Sequence, residues 1–473
     1  MFSSSASLPL SAGSERYSAK LDEVTKIIDV LEADIHKHTL DSLQRSTYLE
    51  KLKVYGRDPT HSDPIYTKQG ISTLAHYAFN PLSDTDSQAA LRCIANAMLL
   101  RPETRQIFLD LGLEETACDR LCKHSQETEF LISRILFLMT YDTNIDLEKL
   151  ISQHDLARGI CANLSRHSEK ILKLQKVYSN DSTESMALSE TLKLMFNITH
   201  FCPQKSTDFS PALKDLFEIL INQPISVKNP MDPFVGPIIN AIMNLPLEKN
   251  STIIFPEGSP EISIDCCVRI LERSLQAYED QALEQNVPPL IILLRKINDC
   301  APPTVQSHLQ RLLLPSTEDR EKILGRTDSL PSQLLRLSSN SVNPQIQESI
   351  LTLLFELSGC DAKTFIHNLG YGYASGFLFK HKVPVPENCL QNPSIVTASS
   401  NDDLSSQVNP ITGQLLEKEE NVEIEEMTEE EKEREAEKLF VLFERLNKTG
   451  VISVNAPGIH SDSNRFEEVI DHK

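Results

Sequence analysis

Five short segments of this 473-residue chain share a pattern suited to holding another polypeptide. They are Arg92-Cys93-Ile94-Ala95-Asn96-Ala97-Met98, Arg134-Ile135-Leu136-Phe137-Leu138-Met139-Thr140, Lys193-Leu194-Met195-Phe196-Asn197-Ile198-Thr199 and Asn240-Ala241-Ile242-Met243-Asn244-Leu245-Pro246. Thr352-Leu353-Leu354-Phe355-Glu356-Leu357-Ser358 is a weaker fifth copy. In each copy the first and fifth residues lie four apart, so on a helix they stack on one face. The pairs are Arg92/Asn96, Arg134/Leu138, Lys193/Asn197, Asn240/Asn244 and Thr352/Glu356. Asn can pair with the backbone of an extended or helical guest, and Arg and Lys can take a carboxylate. The same residues have a second reading, in which each Asn caps or bridges neighbouring repeats. Both readings stand at this point.

Covalent chemistry finds no such support. The sequence has no G-x-x-x-x-G-K-[ST], no H-E-x-x-H, no G-x-S-x-G and no paired C-x-x-C. Cys118, Cys122 and His124 cluster loosely, but a zinc site needs a fourth ligand, and buried helix thiols account for the cysteines better. Gly370-Tyr371-Gly372-Tyr373-Ala374-Ser375-Gly376 has its third Gly one residue late for a dinucleotide loop and no surrounding βαβ unit. It reads as a tight turn between helices. The expectation is a binding protein, not an enzyme, with no cofactor and no metal.

The elements that must carry these pairs are helices. Gly is scarce (15 of 473), which argues against sheet built on tight hairpins. Positions 96, 138, 197 and 244 are 42, 59 and 47 residues apart, close to the ~40 to 47 residues of armadillo and HEAT units. The polar run Tyr178 to Ser185 is the expected insertion in the longest interval. These helices are apolar on nearly every side, as helices packed between repeats are. The expected fold is all-α: an armadillo/HEAT-like right-handed superhelical solenoid over residues 20–385, after a disordered N-terminus at 1–19. The pairs would line its concave face. With no Trp in the chain, the Trp–Asn ladder of importin-type receptors is excluded. Arg and Lys in the corresponding places suggest a guest with a carboxylate-bearing end.

Near residue 380 the character changes. Pro384, Pro386 and Pro393 interrupt helix, and residues 386–426 read as a flexible polar and acidic linker. An amphipathic helix is predicted over 427–450, with a capping box of Thr428 and Glu431 and an apolar face of Leu439, Phe440, Phe443 and Leu446. A disordered tail, 451–473, follows. Net charge is −21, of which Glu417 to Lys438 supplies −8, with twelve Glu against four basic residues. The rest is still acidic, so phosphate backbones are repelled and nucleic-acid binding is excluded. The N-terminus has neither a basic start nor an apolar stretch, and no run approaches the ~18 apolar residues of a membrane span. Ten scattered cysteines fit reduced thiols in a cytosolic protein.

These segments, taken in order, resemble the synembryn family of exchange factors and chaperones for heterotrimeric G-protein α subunits (Gα). The resemblance is carried by Ala90 to Asn96, Phe137 to Thr140, Leu192 to Thr199, Asn244 to Leu247 and Gly370 to Gly376. Further on it includes Asn409-Pro410-Ile411-Thr412-Gly413 and Met427 to Glu433 with the Phe-rich helix after it. The resemblance implies a superhelix whose concave face grips the C-terminal helix of Gα and draws it from the Gα core. GDP then leaves, the empty state is stabilised, and nascent Gα is helped to fold. It also implies that Lys53 and Arg57 belong to the groove beside Arg92, Asn96, Arg134, Lys193, Asn197, Asn240 and Asn244, and that the C-terminal helix reaches the nucleotide-binding domain. The acidic phosphorylatable stretch that animal relatives carry before Asn-Pro-[IV]-Thr-Gly is reduced here to Ser399 through Ser405, leaving Ser399 and Ser400 as candidate sites. A monomer in the cytoplasm, recruited to the cell cortex by its partner, completes the expectation. The alternative is a generic armadillo-type scaffold or co-chaperone with another client.

Overall fold

A computed structural model describes residues 11–80, 83–121, 125–174, 182–339, 344–386, 408–419, 432–438 and 441. In chain order the first helices are α1 (Ser11–Lys37), α2 (Ser42–Tyr55), α3 (Lys68–Phe79), α4 (Asp84–Leu100), α5 (Glu103–Asp110), α6 (Leu113–Leu121) and α7 (Gln126–Met139). The middle holds α8 (Leu147–Gln153), α9 (Leu156–Leu174), α10 (Thr183–Phe201), α11 (Ala212–Asn222), α12 (Val235–Met243), α13 (Ser251–Ile254) and α14 (Ile262–Ala277). The last are α15 (Asp280–Cys300), α16 (Pro303–Leu313), α17 (Thr317–Arg320), α18 (Leu330–Ser338), α19 (Pro344–Leu357), α20 (Ala362–Leu369) and α21 (Tyr371–Lys380). Beyond helix, the described residues show one isolated antiparallel bridge, Val408 to Leu415.

The start of several helices is written in single residues. Asp41, Ser83, Ser125 and Ser182 stand before α2, α4, α7 and α10, and each side chain accepts from the amide three residues on. A cap of this kind contributes about 1 kcal/mol. Asp41 and Gln44 form a full capping box.

Packing sorts the helices into two layers. One layer runs α2, α4, α7, α10, α12, α15, α19, each against the next. The other runs α3, α5, α6, α9, α11, α14 in the same stepwise way, and α3·α4, α6·α7, α9·α10, α11·α12 and α14·α15 join the layers. Neighbour-only packing around one continuous apolar core makes this a solenoid. Units such as α5-α6-α7 and α8-α9-α10 place a short helix ahead of two packing helices, as armadillo repeats do.

Several boundaries differ from the sequence expectation. α1 begins at Ser11, inside the stretch expected to be disordered. Much of the extra length in the 59-residue interval is helix, since α9 has 19 residues where α6 has nine. Of the expected insertion, Tyr178 to Ser185, residues 178–181 lie outside the described residues, and Ser182 to Ser185 cap and begin α10.

Residues 408–418, expected within the flexible linker, pack on the end of the solenoid. Arg320 donates to the Gly413 carbonyl (2.8 Å) and the Asn368 carbonyl (2.9 Å). The amides of Tyr371 and Gly372 donate to the carbonyls of Pro410 (2.8 Å) and Ile411 (3.0 Å), and the Leu415 amide to that of Arg320 (2.9 Å). Gly370 forms the turn between α20 and α21 with φ +82°, and a Cβ there would lie 2.7 Å from Gly413 N. Of the stretch Gly370 to Gly376, expected to be a turn, only Gly370 turns, since α21 already begins at Tyr371; Gly370 is also the seat of this strap.

Residues 419–473 form a second unit. In it residues 432–438 and 441 are helical and exposed. Leu439, Phe440, Phe443, Leu446, Ser399 and Ser400 lie outside the described residues. No described helix is long and apolar enough to cross a membrane.

Candidate functional site

The copies of the sequence pattern fall on α4, α7, α10, α12 and α19, all in one layer. Their first positions, Arg92, Arg134, Lys193, Asn240 and Thr352, are all partly exposed, so they mark the open side of that layer. The fold thus brings the first four copies, 42 to 59 positions apart, onto successive helices, with α15 between the fourth copy and the fifth.

The fifth positions divide. Asn197 is 6% exposed, and its amide donates to the Thr140 hydroxyl at 2.7 Å. Asn244 donates to the Thr199 hydroxyl and the Phe196 carbonyl, both at 3.2 Å. In each case the fifth residue of one copy reaches the seventh residue of the copy before. At the equivalent junction between the first two copies stand Met98 and Leu138, buried and apolar on both sides. Asn197 and Asn244 are therefore bridges between repeats. Asn96, also a fifth position, and Asn240, a first position, are half-buried, and neither amide has a hydrogen-bond partner among the described residues.

The cations also have company. Arg92 is bonded to Glu127 on α7. Lys193 donates to Glu190 at 3.0 Å, and Arg134 lies 3.9 Å from the same carboxylate. Further along, Arg295 on α15 holds Glu356 on α19, with Nε at 2.8 Å. The row is therefore not a bare cationic strip. Lys53 sits on α2 beside Glu50, and Arg57 is exposed in the turn after α2. Among the described residues neither bonds to the other groove positions.

Sequence reasoning passed over the fourth position of each copy. In the second, third and fourth copies Phe137, Phe196 and Met243 stand there, partly exposed, one turn from the cation or amide, while the first copy has the buried Ala95. Phe137 meets Tyr141 edge-on at 5.3 Å, and Phe196 stacks on His200 at 6.0 Å. Leu99, Tyr141 and Phe201 add exposed apolar surface at the ends of α4, α7 and α10. The signal was available: an apolar residue three after a polar one, repeated on the same face. In the last copy Phe355 packs instead on Phe365 (5.2 Å) and Phe377 (5.3 Å).

Beneath the stripe a buried network fixes α7 and α10 to α9. Glu129 is 2% exposed and accepts from Thr191 (2.8 Å) and from Arg166, with His167 Nε2 at 3.0 Å. Burial raises the affinity of this carboxyl for a proton, but the bonds from His167 and Thr191 and the Arg166 charge outweigh it. Its pKa lies below the ordinary glutamate value. A carboxylate kept charged and fully partnered there holds Phe130 and Arg134 at a set distance from Glu190 and Lys193.

No described group of His, Cys, Asp and Glu could hold a metal ion. Cys93 and Cys267 are buried, and burial drives their pKa values up, that of Cys93 to about 12. They pack as apolar groups and not as nucleophiles. Asn163 and Asn197, both in glycosylation-type triplets, are buried.

Comparison with known proteins finds relatives along most of the chain. A family model described as guanine nucleotide exchange factor synembryn (Ric8) matches residues 48–462. A protein named Chaperone Ric-8A from Xenopus laevis is 25% identical over 456 residues, covering 88% of this chain and 83% of the relative. The Mus musculus protein of the same name is 25% identical over 460 residues, covering 91% and 86%. A synembryn-like chaperone of Schizosaccharomyces pombe is 27% identical over 366 residues, covering 73% and 66%.

Proposed function

Since this chain belongs to the synembryn family of guanine nucleotide exchange factors, we infer that it is a non-enzymatic exchange factor and chaperone for a G-protein α subunit. The contact surface is the open stripe of α4, α7, α10 and α12. The observation that carries this reading is the combination on that stripe: aromatic and apolar side chains in contact with water, beside the amides of Asn96 and Asn240, which have no hydrogen-bond partner among the described residues. An amphipathic helix, such as the C-terminal helix of Gα, offers the apolar face and polar edge that such a row accepts.

No covalent step is needed. A protein that binds empty Gα about a hundredfold more tightly than GDP-bound Gα must, by linkage, weaken GDP binding by the same factor. The same preference assists folding, because anything bound to the folded form at 100 times its Kd stabilises it by about 2.7 kcal/mol. Exchange and chaperoning are then two consequences of one grip. The helix expected over 427–450 is a second contact, made with the nucleotide-binding domain. Its deletion should slow GDP release from whole Gα and leave binding of a Gα C-terminal peptide intact. If both fall together, that helix braces the solenoid instead.

The test mixes the full chain with purified GDP-loaded Gα and follows GDP release. Accelerated release, with a nucleotide-free complex recovered on gel filtration, is expected. Unchanged release with no complex would overturn the reading.

A further inference from the structure

The strap at 408–418 is held in a way that core packing does not explain. Among its aliphatic side chains Val408 is buried and Leu415 half-buried, while Ile411 is 58% and Leu416 37% exposed. The hold is made of backbone. First the loop closes on itself: the Asn409 amide donates to the Gln414 carbonyl and the Gly413 amide to the Asn409 carbonyl, both at 2.8 Å. Asn409 Oδ1 accepts from the Ile411 amide, also at 2.8 Å, a turn that this residue type favours. The closed loop then bonds to the first amides of α21 and to Arg320 at the end of α17, through both the carbonyl and the guanidinium of that residue. Gly413, at φ +72°, lies so close to the solenoid that a Cβ there would stand 2.6 Å from Leu324 Cδ1. Arg320 is 8% exposed and makes no ion pair among the described residues. A buried cation without an acid costs stability, and the strap buries little apolar surface to offset it.

The strap also divides the chain. It ends at Lys418, and the second unit begins at Glu419. From there 13 residues, 419–431, lead to the helix described at 432–438. With no strap, the chain would run from Pro386 to that helix through the 45 residues 387–431. Covalent geometry lets the shorter segment reach at most about 45 Å and the longer one about 155 Å. Seating the strap therefore removes most of the length on which the C-terminal helix hangs.

We propose that the strap is a tether clamp: Arg320 and Gly413 fix the point from which the C-terminal helix reaches bound Gα, and so raise the effective concentration of that helix at its contact. The proposal rests on the reading of that helix as a second contact. Effective concentration falls with roughly the −3/2 power of tether length, so going from 13 residues to 45 lowers it about sixfold. Linked contacts multiply, and whole Gα is then held about sixfold more weakly. A peptide of the Gα C-terminal helix touches the stripe alone and is indifferent to the strap. Arg320 acts through the strap and is a positioning residue.

The experiment measures the affinity of the full chain and its variants for whole Gα without nucleotide and for the C-terminal peptide. Gly413→Val releases the strap by a change outside the solenoid helices. Asn409→Ala, which removes the acceptor of the Ile411 amide, serves if Gly413→Val folds poorly. Either variant should bind whole Gα about sixfold more weakly and the peptide equally well. Removing residues 387–418 hangs the helix from Pro386 on the same 13 residues and should restore most of the loss, which release of a mere brace would not. Unchanged affinity for whole Gα in the strap variants overturns the clamp and leaves the second contact standing. So does a loss as large in the 387–418 deletion as in Gly413→Val. Deletion of residues 427–450 reads the second contact by itself: if whole Gα then binds as tightly as before, that contact falls and the clamp with it.

Discussion

Arg134 and Arg320 mark two regions of the same solenoid that use similar residues in opposite ways. Arg320, at the end of α17, is 8% exposed and gives its N–H groups to the carbonyls of Gly413 and Asn368. There the chain returns on itself, and the strap 408–418 covers the end of the solenoid. Arg134, on α7, is a third exposed, with no hydrogen bond among the described residues and only a 3.9 Å approach to Glu190. Asn197 and Asn96 repeat the contrast within a single sequence pattern, one bridging repeats and the other left open. Residue type and helical position do not separate binding from bracing. The separation lies in whether the chain supplies a partner.

If the two regions are independent, damage to the strap should cost stability and leave peptide binding alone. Gly370→Val is the most severe break, because φ +82° disfavours any Cβ and this one would sit 2.7 Å from Gly413 N and Thr412 C. A loss of about 3 kcal/mol or more in urea unfolding is expected. Peptide affinity measured well below the transition should be unchanged. A matching loss of affinity would show that the closed end shapes the stripe.

A second break falls between the regions, in the network under the stripe. Glu129→Gln should cost about 2 kcal/mol at neutral pH by weakening a buried, multiply bonded carboxylate. The folded pKa of Glu129 lies below its ordinary value, so its contribution is complete above about pH 4.3 and fades as pH falls through the folded pKa. The gap in unfolding midpoint between the two proteins should thus narrow in acid below about pH 4, as the folded carboxyl takes up its proton. A gap that stays undiminished in strong acid would contradict the charged assignment.

The sharpest form of the comparison uses one residue type. Asn197→Ala removes a bridge to Thr140 and should cost about 1 kcal/mol. Asn96→Ala removes an unpartnered amide and should change stability by less than about 0.5 kcal/mol. Thermal unfolding of both variants checks the order. Equal costs would erase the distinction between bridge and open amide.

The layer was legible in the sequence because its helices repeat a pattern at near-constant spacing, and α4, α7, α10, α12 and α19 carry the copies. α15 belongs to the same layer but carries none; Pro288 and Pro289 lie inside it. The fates of the four Asn residues were not legible, since each depends on whether a Thr or a carbonyl stands opposite on a helix some 50 residues away. Nor was the strap. It is held by backbone carbonyls, one buried arginine and glycines at positive φ, none of which leaves an apolar periodicity in a polar stretch. The ion pairs on the stripe were hidden for the same reason: Glu127 and Glu190 look like ordinary surface acids until α7 and α10 bring them to Arg92 and Arg134.

The account turns on the stripe as the surface that takes a G-protein α subunit. The most direct measurement titrates a labelled peptide of the Gα C-terminal helix with the unaltered chain and with the double variant Arg92→Ala, Asn96→Ala. Truncating interface anchors of this kind typically costs ~1 to 4 kcal/mol, so a fall in affinity of roughly five- to several-hundredfold is expected at an almost unchanged melting temperature. Undiminished affinity in a folded double variant would contradict the account.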